Sequence, residues 1–238
     1  RHNLLLIMIS STYLISKSFL FWVNLIVSVV VFGPVAFIFG LISYRLCLII
    51  SKTWCKYNLY FLKIVCSLSY EFSGPNLNEH KIVISKHQSA WETIFLAAHV
   101  NNPIFILKKE LLMIPIFGWC LYLLNNISID RSDGASSLKK IMSSCSYHIE
   151  NNKTLIIFPE GTRLPFGATS HIKKGVLKII KSLKLNSLLL HHDAGKYWHK
   201  SSFIIHPGII KISTLNLNYN SDPDTLQKNI EKHFNLQE

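Results

Sequence analysis

The chain has 238 residues, 49% of them hydrophobic and only 16% charged, with a mean hydropathy of +0.28. That length suits one well-cored domain plus an appendage better than two full domains. The net charge of +12 points to an anionic partner, but no arginine-rich run, zinc-finger spacing or aromatic–basic signature is present. Nucleic acid is therefore disfavoured, and basic charge flanking an apolar run suits a membrane surface better.

In chain order, the first feature is an uncharged stretch between Lys17 and Arg45, with residues 19–42 (FLFWVNLIVSVVVFGPVAFIFGLI) apolar enough to span a bilayer as a helix. Gly33 and Pro34 interrupt it, where proline is expected to kink the helix or end its first half. A shorter apolar segment runs from Tyr57 to Tyr70. Trp22, Trp54, Tyr57 and Tyr60 resemble interfacial anchors, and Arg45, Lys52, Lys56 and Lys63 cluster after the long run. Residues 1–70 are thus expected to form a membrane-associated helical pair and residues 71–238 an α/β domain on the cytoplasmic side.

Beyond this point strand and helix patterns alternate. Strands are expected at 81–85, 104–107, 127–129, 154–158, 187–190, 203–205 and 209–213. Helices are expected at 88–99, 135–150, 173–183 and 222–234, with an apolar helical stretch interrupted at Pro115. The alternation predicts an α/β fold with a mostly parallel central sheet flanked by helices. The five cysteines, Cys47, Cys55, Cys66, Cys120 and Cys145, show no CxxC pairing and are odd in number. Buried free thiols are expected, rather than disulfides or a metal site.

Three polar clusters follow strand ends, where α/β sheets build their sites. In KHQSAWE (86–92), His87 precedes a helix that carries Glu92. On a regular helix the two would lie roughly 500° apart, so they meet only if His87 sits in the turn and Glu92 reaches back. Such a pair makes a general base, the carboxylate fixing the imidazole tautomer. In FPEGTR (158–163), Gly161 permits close backbone approach and Arg163 offers a fork for phosphate, while Glu160 would orient that arginine or bond a glycerol. In ISIDR (127–131), Arg131 is a second candidate phosphate contact. Each cluster alone has an ordinary explanation: a surface histidine near a helical acid, a local Glu160–Arg163 pair, or Arg131 pairing with Asp130 or Asp133.

Together the clusters resemble the 1-acylglycerol-3-phosphate acyltransferases and the wider glycerophospholipid acyltransferase group, over nearly the whole chain. His87 and Glu92 match a His-x4-Asp/Glu motif, 118–131 a second block, FPEGTR a third, and Lys173, Lys174 and Gly175 the basic turn after it. HHDAGKYW (191–198) looks like a fourth block, with Leu189 where proline is usual, and the acid is Glu92 where many relatives have aspartate. The resemblance implies acyl transfer from acyl-CoA or acyl-acyl-carrier-protein to the free 2-hydroxyl of 1-acylglycerol-3-phosphate, forming phosphatidic acid in phospholipid biosynthesis. His87 and Glu92 would be catalytic, and Arg131, Glu160, Gly161, Thr162 and Arg163 would bind substrate. No metal or bound cofactor is implied, and the setting would be a bacterial inner membrane. Other acceptors, such as glycerol 3-phosphate or a lyso-aminolipid, and a non-catalytic membrane-binding relative remain alternatives. A soluble hydrolase is disfavoured by the missing nucleophile elbow. The lysines at 173, 174, 178 and 181 would receive an acidic carrier or lipid headgroups, or simply form a solvated face.

Overall fold

The structure is a computed structural model that describes residues 2–129 and 134–235, with side chains described for 11–129 and 139–235. Two helices, α1 (His2–Ile42) and α2 (Tyr44–Val65), precede an α/β unit. Its strands are β1 (Leu68–Ser73), β2 (Ile82–Ser85), β3 (Pro103–Lys108), β4 (Ile127–Ile129), β5 (Thr154–Ile157), β6 (Ser187–His192) and β7 (Gly208–Leu217). The helices of that unit are α3 (Trp91–His99), α4 (Phe117–Leu123), α5 (Gly134–Glu150), α6 (Lys174–Leu183), α7 (Ala194–Tyr197) and α8 (Pro223–Phe234), with a 3₁₀ turn at Lys109–Met113.

The seven strands pair in the order β1-β7-β6-β2-β5-β3-β4, and every pairing is parallel except β6 with β7. β2, β5 and β6 are buried along their whole length, which accounts for their unbroken apolar text. Alternation still sorts their side chains between two cores. Val83, Ile156, Leu188 and Leu190 face a cluster with Leu59 and Leu62 of α2 and Trp91 and Phe95 of α3. Ile82, Ile84, Leu155, Ile157 and Leu189 face the opposite cluster with Cys145 of α5, Ile180 of α6, and Leu226, Ile230 and Phe234 of α8. Burying each such aliphatic side chain stabilises the fold by about 1.5–3 kcal/mol relative to leaving it in water. Leu189, the departure noted in the fourth block, is fully buried in the middle of β6 and pairs with Ile84 and Leu215.

α1 carries a 32-residue stretch, Ser11–Ile42, long and apolar enough to cross a membrane, its most apolar 18-residue window having a mean hydropathy of 2.7. Its outward face exposes Phe19, Ile26, Val30, Ile38 and Leu41. α2 folds back along it after Ser43, whose hydroxyl accepts from the Arg45 amide at 3.2 Å. A polar ladder sets the register of the pair: Trp54 donates to Ser28 at 2.9 Å, and Asn24 to the fully buried Asn58 at 3.2 Å. Helix α1 runs through Pro34 without ending, contrary to one of the two expected outcomes. The missing side chain of Gly33 leaves a notch there, filled by Ile116, which is held at φ 65. Nearer its start, α1 is fastened to the domain. Trp22 donates to the Phe203 carbonyl at 2.8 Å, Ser18 accepts from the Ile205 amide at 2.9 Å, and Phe21 is fully buried against Trp198.

Three sequence expectations shift. The apolar segment 57–70 does not stay helical: α2 stops at Val65, and Leu68–Ser73 becomes an edge strand parallel to β7. Residues 203–205 form no strand, their chain being bound by Trp22 and Ser18 of α1 instead. The helix expected from Gln88 begins at Trp91, with Gln88 to Ala90 forming the turn that precedes it.

Candidate active site

The three central strands β6, β2 and β5 end side by side, and each delivers one part of the site from its carboxyl end. β2 leads into Lys86 and His87, β5 into the FPEGTR loop, and β6 ends in His192. The turn carrying His87 thus lies between the other two parts.

His87 and Glu92 meet in the way the turn geometry requires. Because α3 starts only at Trp91, Glu92 sits in its first turn and reaches back, and His87 Nδ1 donates to Glu92 Oε1 at 2.8 Å. The same carboxylate accepts from the amides of Gln88 (2.9 Å) and Ser89 (2.9 and 3.0 Å). Glu92 is fully buried, whereas the His87 side chain is 19% exposed and therefore within reach of a ligand. Phe158 covers one face of the imidazole, its ring stacked at 4.1 Å. A carboxylate cannot donate, so the proton sits on Nδ1, and in the neutral ring Nε2 keeps its lone pair.

Burial alone would push the Glu92 carboxyl up, but attraction to His192 whenever that ring is charged, the bond from the His87 imidazole and the Ser89 amide outweigh it and hold the group below the usual carboxylate range. A carboxyl whose native pKa lies below its unfolded one adds stability that is complete above the unfolded value of about 4.3. That stability disappears as pH falls through the native value. Glu92→Gln is therefore expected to lower the thermal midpoint most near neutral pH, the gap to wild type closing below about pH 4. A pH series of thermal unfolding curves checks this, and a gap that widened toward acid would reverse the sign.

The backbone beneath His87 is tied on both sides. On the β5 side, the His87 amide donates to Glu160 Oε2 at 2.7 Å, and the Leu164 amide donates to the His87 carbonyl at 2.8 Å. Ser170, fully buried, donates to the other Glu160 oxygen. Burial pushes the Glu160 carboxyl up, and its bonds from Ser170 and the His87 amide offset part of that. On the β6 side, His192 Nε2 donates to the Lys86 carbonyl at 2.9 Å, and its Nδ1 accepts from the Ala194 amide at 3.2 Å. One donor and one acceptor is the pattern of a neutral ring, consistent with burial depressing the His192 pKa.

Glu160 is 4% exposed with both oxygens engaged, and it makes no ion pair with Arg163. The local Glu–Arg turn pair is thus not formed. Arg163 is half-buried and Thr162 exposed, so the loop presents a cation without a carboxylate within 4.0 Å among the described residues. Arg131 lies outside the described residues. The sequence reading missed Ser170 and His192 as parts of this assembly. Ser170 carries no motif signal, while His192 lay within the fourth block but gave no hint of its target, a carbonyl 106 positions away.

A buried carboxylate behind a reachable imidazole, next to a cationic loop at the carboxyl end of parallel strands, is an arrangement able to act as a general base beside an anionic group. The Acyltransferase family model matches residues 70–206. The chain is 34% identical to the 1-acyl-sn-glycerol-3-phosphate acyltransferase of Pseudomonas aeruginosa over 209 residues, covering 85% of this chain and 80% of that protein. It is 35% identical to the enzyme of the same name from Helicobacter pylori over 145 residues, covering 54% of this chain and 61% of that one. The fold superposes on the crystal structure of the 1-acyl-sn-glycerophosphate acyltransferase PlsC from Thermotoga maritima with a TM-score of 0.76, at 20% identity and 94% coverage of both chains. The chain belongs to the acyltransferase family.

Proposed function

We propose that the protein transfers a fatty acyl group from acyl-CoA or acyl-acyl-carrier-protein to the 2-hydroxyl of 1-acylglycerol-3-phosphate, yielding phosphatidic acid. The observation that carries the reading is the hydrogen bond from His87 Nδ1 to the buried Glu92, which leaves Nε2 free to accept a proton beside the Arg163 loop. The names of the relatives support the same acceptor.

His87 Nε2 takes the proton of the acceptor hydroxyl as its oxygen attacks the thioester carbonyl. The tetrahedral intermediate collapses with loss of the thiolate, which recovers that proton from the imidazolium. Glu92 holds the tautomer and balances the transient positive charge. Arg163 grips the phosphate with its planar fork, and Gly161 and Thr162 shape that pocket, with Arg131 a second contact. The apolar outward face of α1 keeps the protein at a membrane, with the site toward the cytoplasm.

The test is a panel of acceptors offered to detergent-extracted protein with each donor. Lysophosphatidic acid is expected to be acylated at least about tenfold faster than glycerol 3-phosphate or a lyso-aminolipid, a discrimination of about 1.4 kcal/mol. A protein that ignores lysophosphatidic acid but acylates another acceptor overturns the assignment. A protein inert to all of them points to a binding relative.

A further inference from the structure

We propose that Lys173 is a further cation of the acceptor's phosphate subsite, acting beside Arg163 of the FPEGTR loop; the proposal rests on the acceptor reading above. The lysine-rich segment that opens α6 divides by task. Lys181 is spent on the carbonyls of Tyr219 and Ser221, at 3.0 and 2.8 Å, and closes the end of α6 against the chain before α8. Lys174 and Lys178 are exposed. Lys173 alone is built onto the site.

Its amide donates to the Pro159 carbonyl at 3.1 Å, and its side chain runs over the α-carbon of Gly161. A methyl group at Gly161 would fall 2.6 Å from the Lys173 ammonium nitrogen and 2.8 Å from its Cε. Gly161 also holds φ +69, a conformation that L side chains rarely adopt. The glycine therefore serves two ends at once: it makes the turn and leaves the seat for the lysine.

The charge pattern fits a phosphate monoester. Such a group carries about −1.5 to −2 at neutral pH and three strong acceptor oxygens, so it takes several cationic donors at once. Arg163 supplies a planar fork and Lys173 a compact point charge, chemically complementary donors for one phosphate. Among the described residues no carboxylate lies within 4.0 Å of either cation, because the adjacent acid, Glu160, is turned to the His87 amide and Ser170.

The experiment is steady-state kinetics on the full chain with Lys173→Met and Lys173→Arg, varying lysophosphatidic acid at saturating donor and then the donor at saturating acceptor. Lys173→Met is expected to raise the KM for lysophosphatidic acid about tenfold or more, the cost of one charge-assisted contact. Donor KM and kcat should stay within about threefold of wild type, and Lys173→Arg should recover most of the loss. Lys173 is exposed, so both variants should keep the wild-type thermal midpoint. An unchanged acceptor KM overturns the proposal, as does a rise confined to the donor, which would move the lysine to the donor's phosphopantetheine. A wild type that leaves lysophosphatidic acid untouched removes the acceptor reading and this proposal together. A wild type that acylates it while Lys173→Met is unaffected removes this proposal alone.

Discussion

His87→Ala is expected to leave a folded protein whose acyl transfer is about 10²–10⁴-fold slower, the usual contribution of a positioned general base. The expectation of intact folding comes from how the turn is held. Glu92 keeps its bonds from the Gln88 and Ser89 amides, the His87 backbone keeps Glu160 and Leu164, and Lys86 keeps His192, none of which involves the imidazole. Among the described residues, only the Phe158 stack and the bond to Glu92 are lost. Single-turnover assays should therefore show the fall in the chemical step with little change in thermal midpoint. If the variant acylates at the wild-type rate, the base is some other group. Glu92→Ala is a harsher change, because it strands two buried amides as well as freeing the imidazole.

The second large effect is expected at Glu160, and its kinetic form separates two roles. The sequence suggests a residue that orients Arg163 or bonds the acceptor's glycerol; the geometry makes it a brace under His87. Glu160→Ala removes the acceptor for the His87 amide and for the buried Ser170 hydroxyl. Each orphaned donor costs about 1–3 kcal/mol of stability. A catalytic turn displaced by even about 1 Å can lose on the order of 10² in rate. The brace therefore predicts a fall in kcat of about a hundredfold with acceptor KM near wild type. A residue that bonded glycerol equally in ground and transition states would instead raise KM and spare kcat. Glu160→Gln should be milder than Glu160→Ala, since its amide oxygen still accepts one bond.

Much of this architecture is legible in the chain, for a physical reason. The central strands are buried on both faces, so their apolar runs stand out from the polar turns that end them, and those turns carry the chemistry. What escapes is decided at long range. Leu68–Ser73 continues an apolar segment and reads like its helical neighbour; only its pairing with β7, some 140 residues later, makes it a strand. Ile205 has strand-like neighbours, yet its amide finds a serine hydroxyl on α1 rather than a sheet edge. At the site, His87 and Glu92 are close in sequence, so their spacing can be weighed in advance. The inward turn of Glu160 depends on Ser170 and on a backbone amide 73 positions away, and nothing in the FPEGTR text distinguishes that from a ligand facing outward.

The fastening of α1 to the domain through Ser18, Phe21, Trp22 and the Gly33 notch makes the long helix a depth gauge rather than a tether. A helix joined by a slack linker would let the catalytic unit bob and swivel above whatever apolar layer receives it. Here the outward stripe of α1 and the turn carrying His87 belong to one packed unit, so under the proposed function the stripe would set the level at which a hydroxyl is met. Under the proposed function, selection among lipids would begin with geometry normal to that layer: an acceptor that presents its hydroxyl too high or too low would be passed over before any side chain touched it.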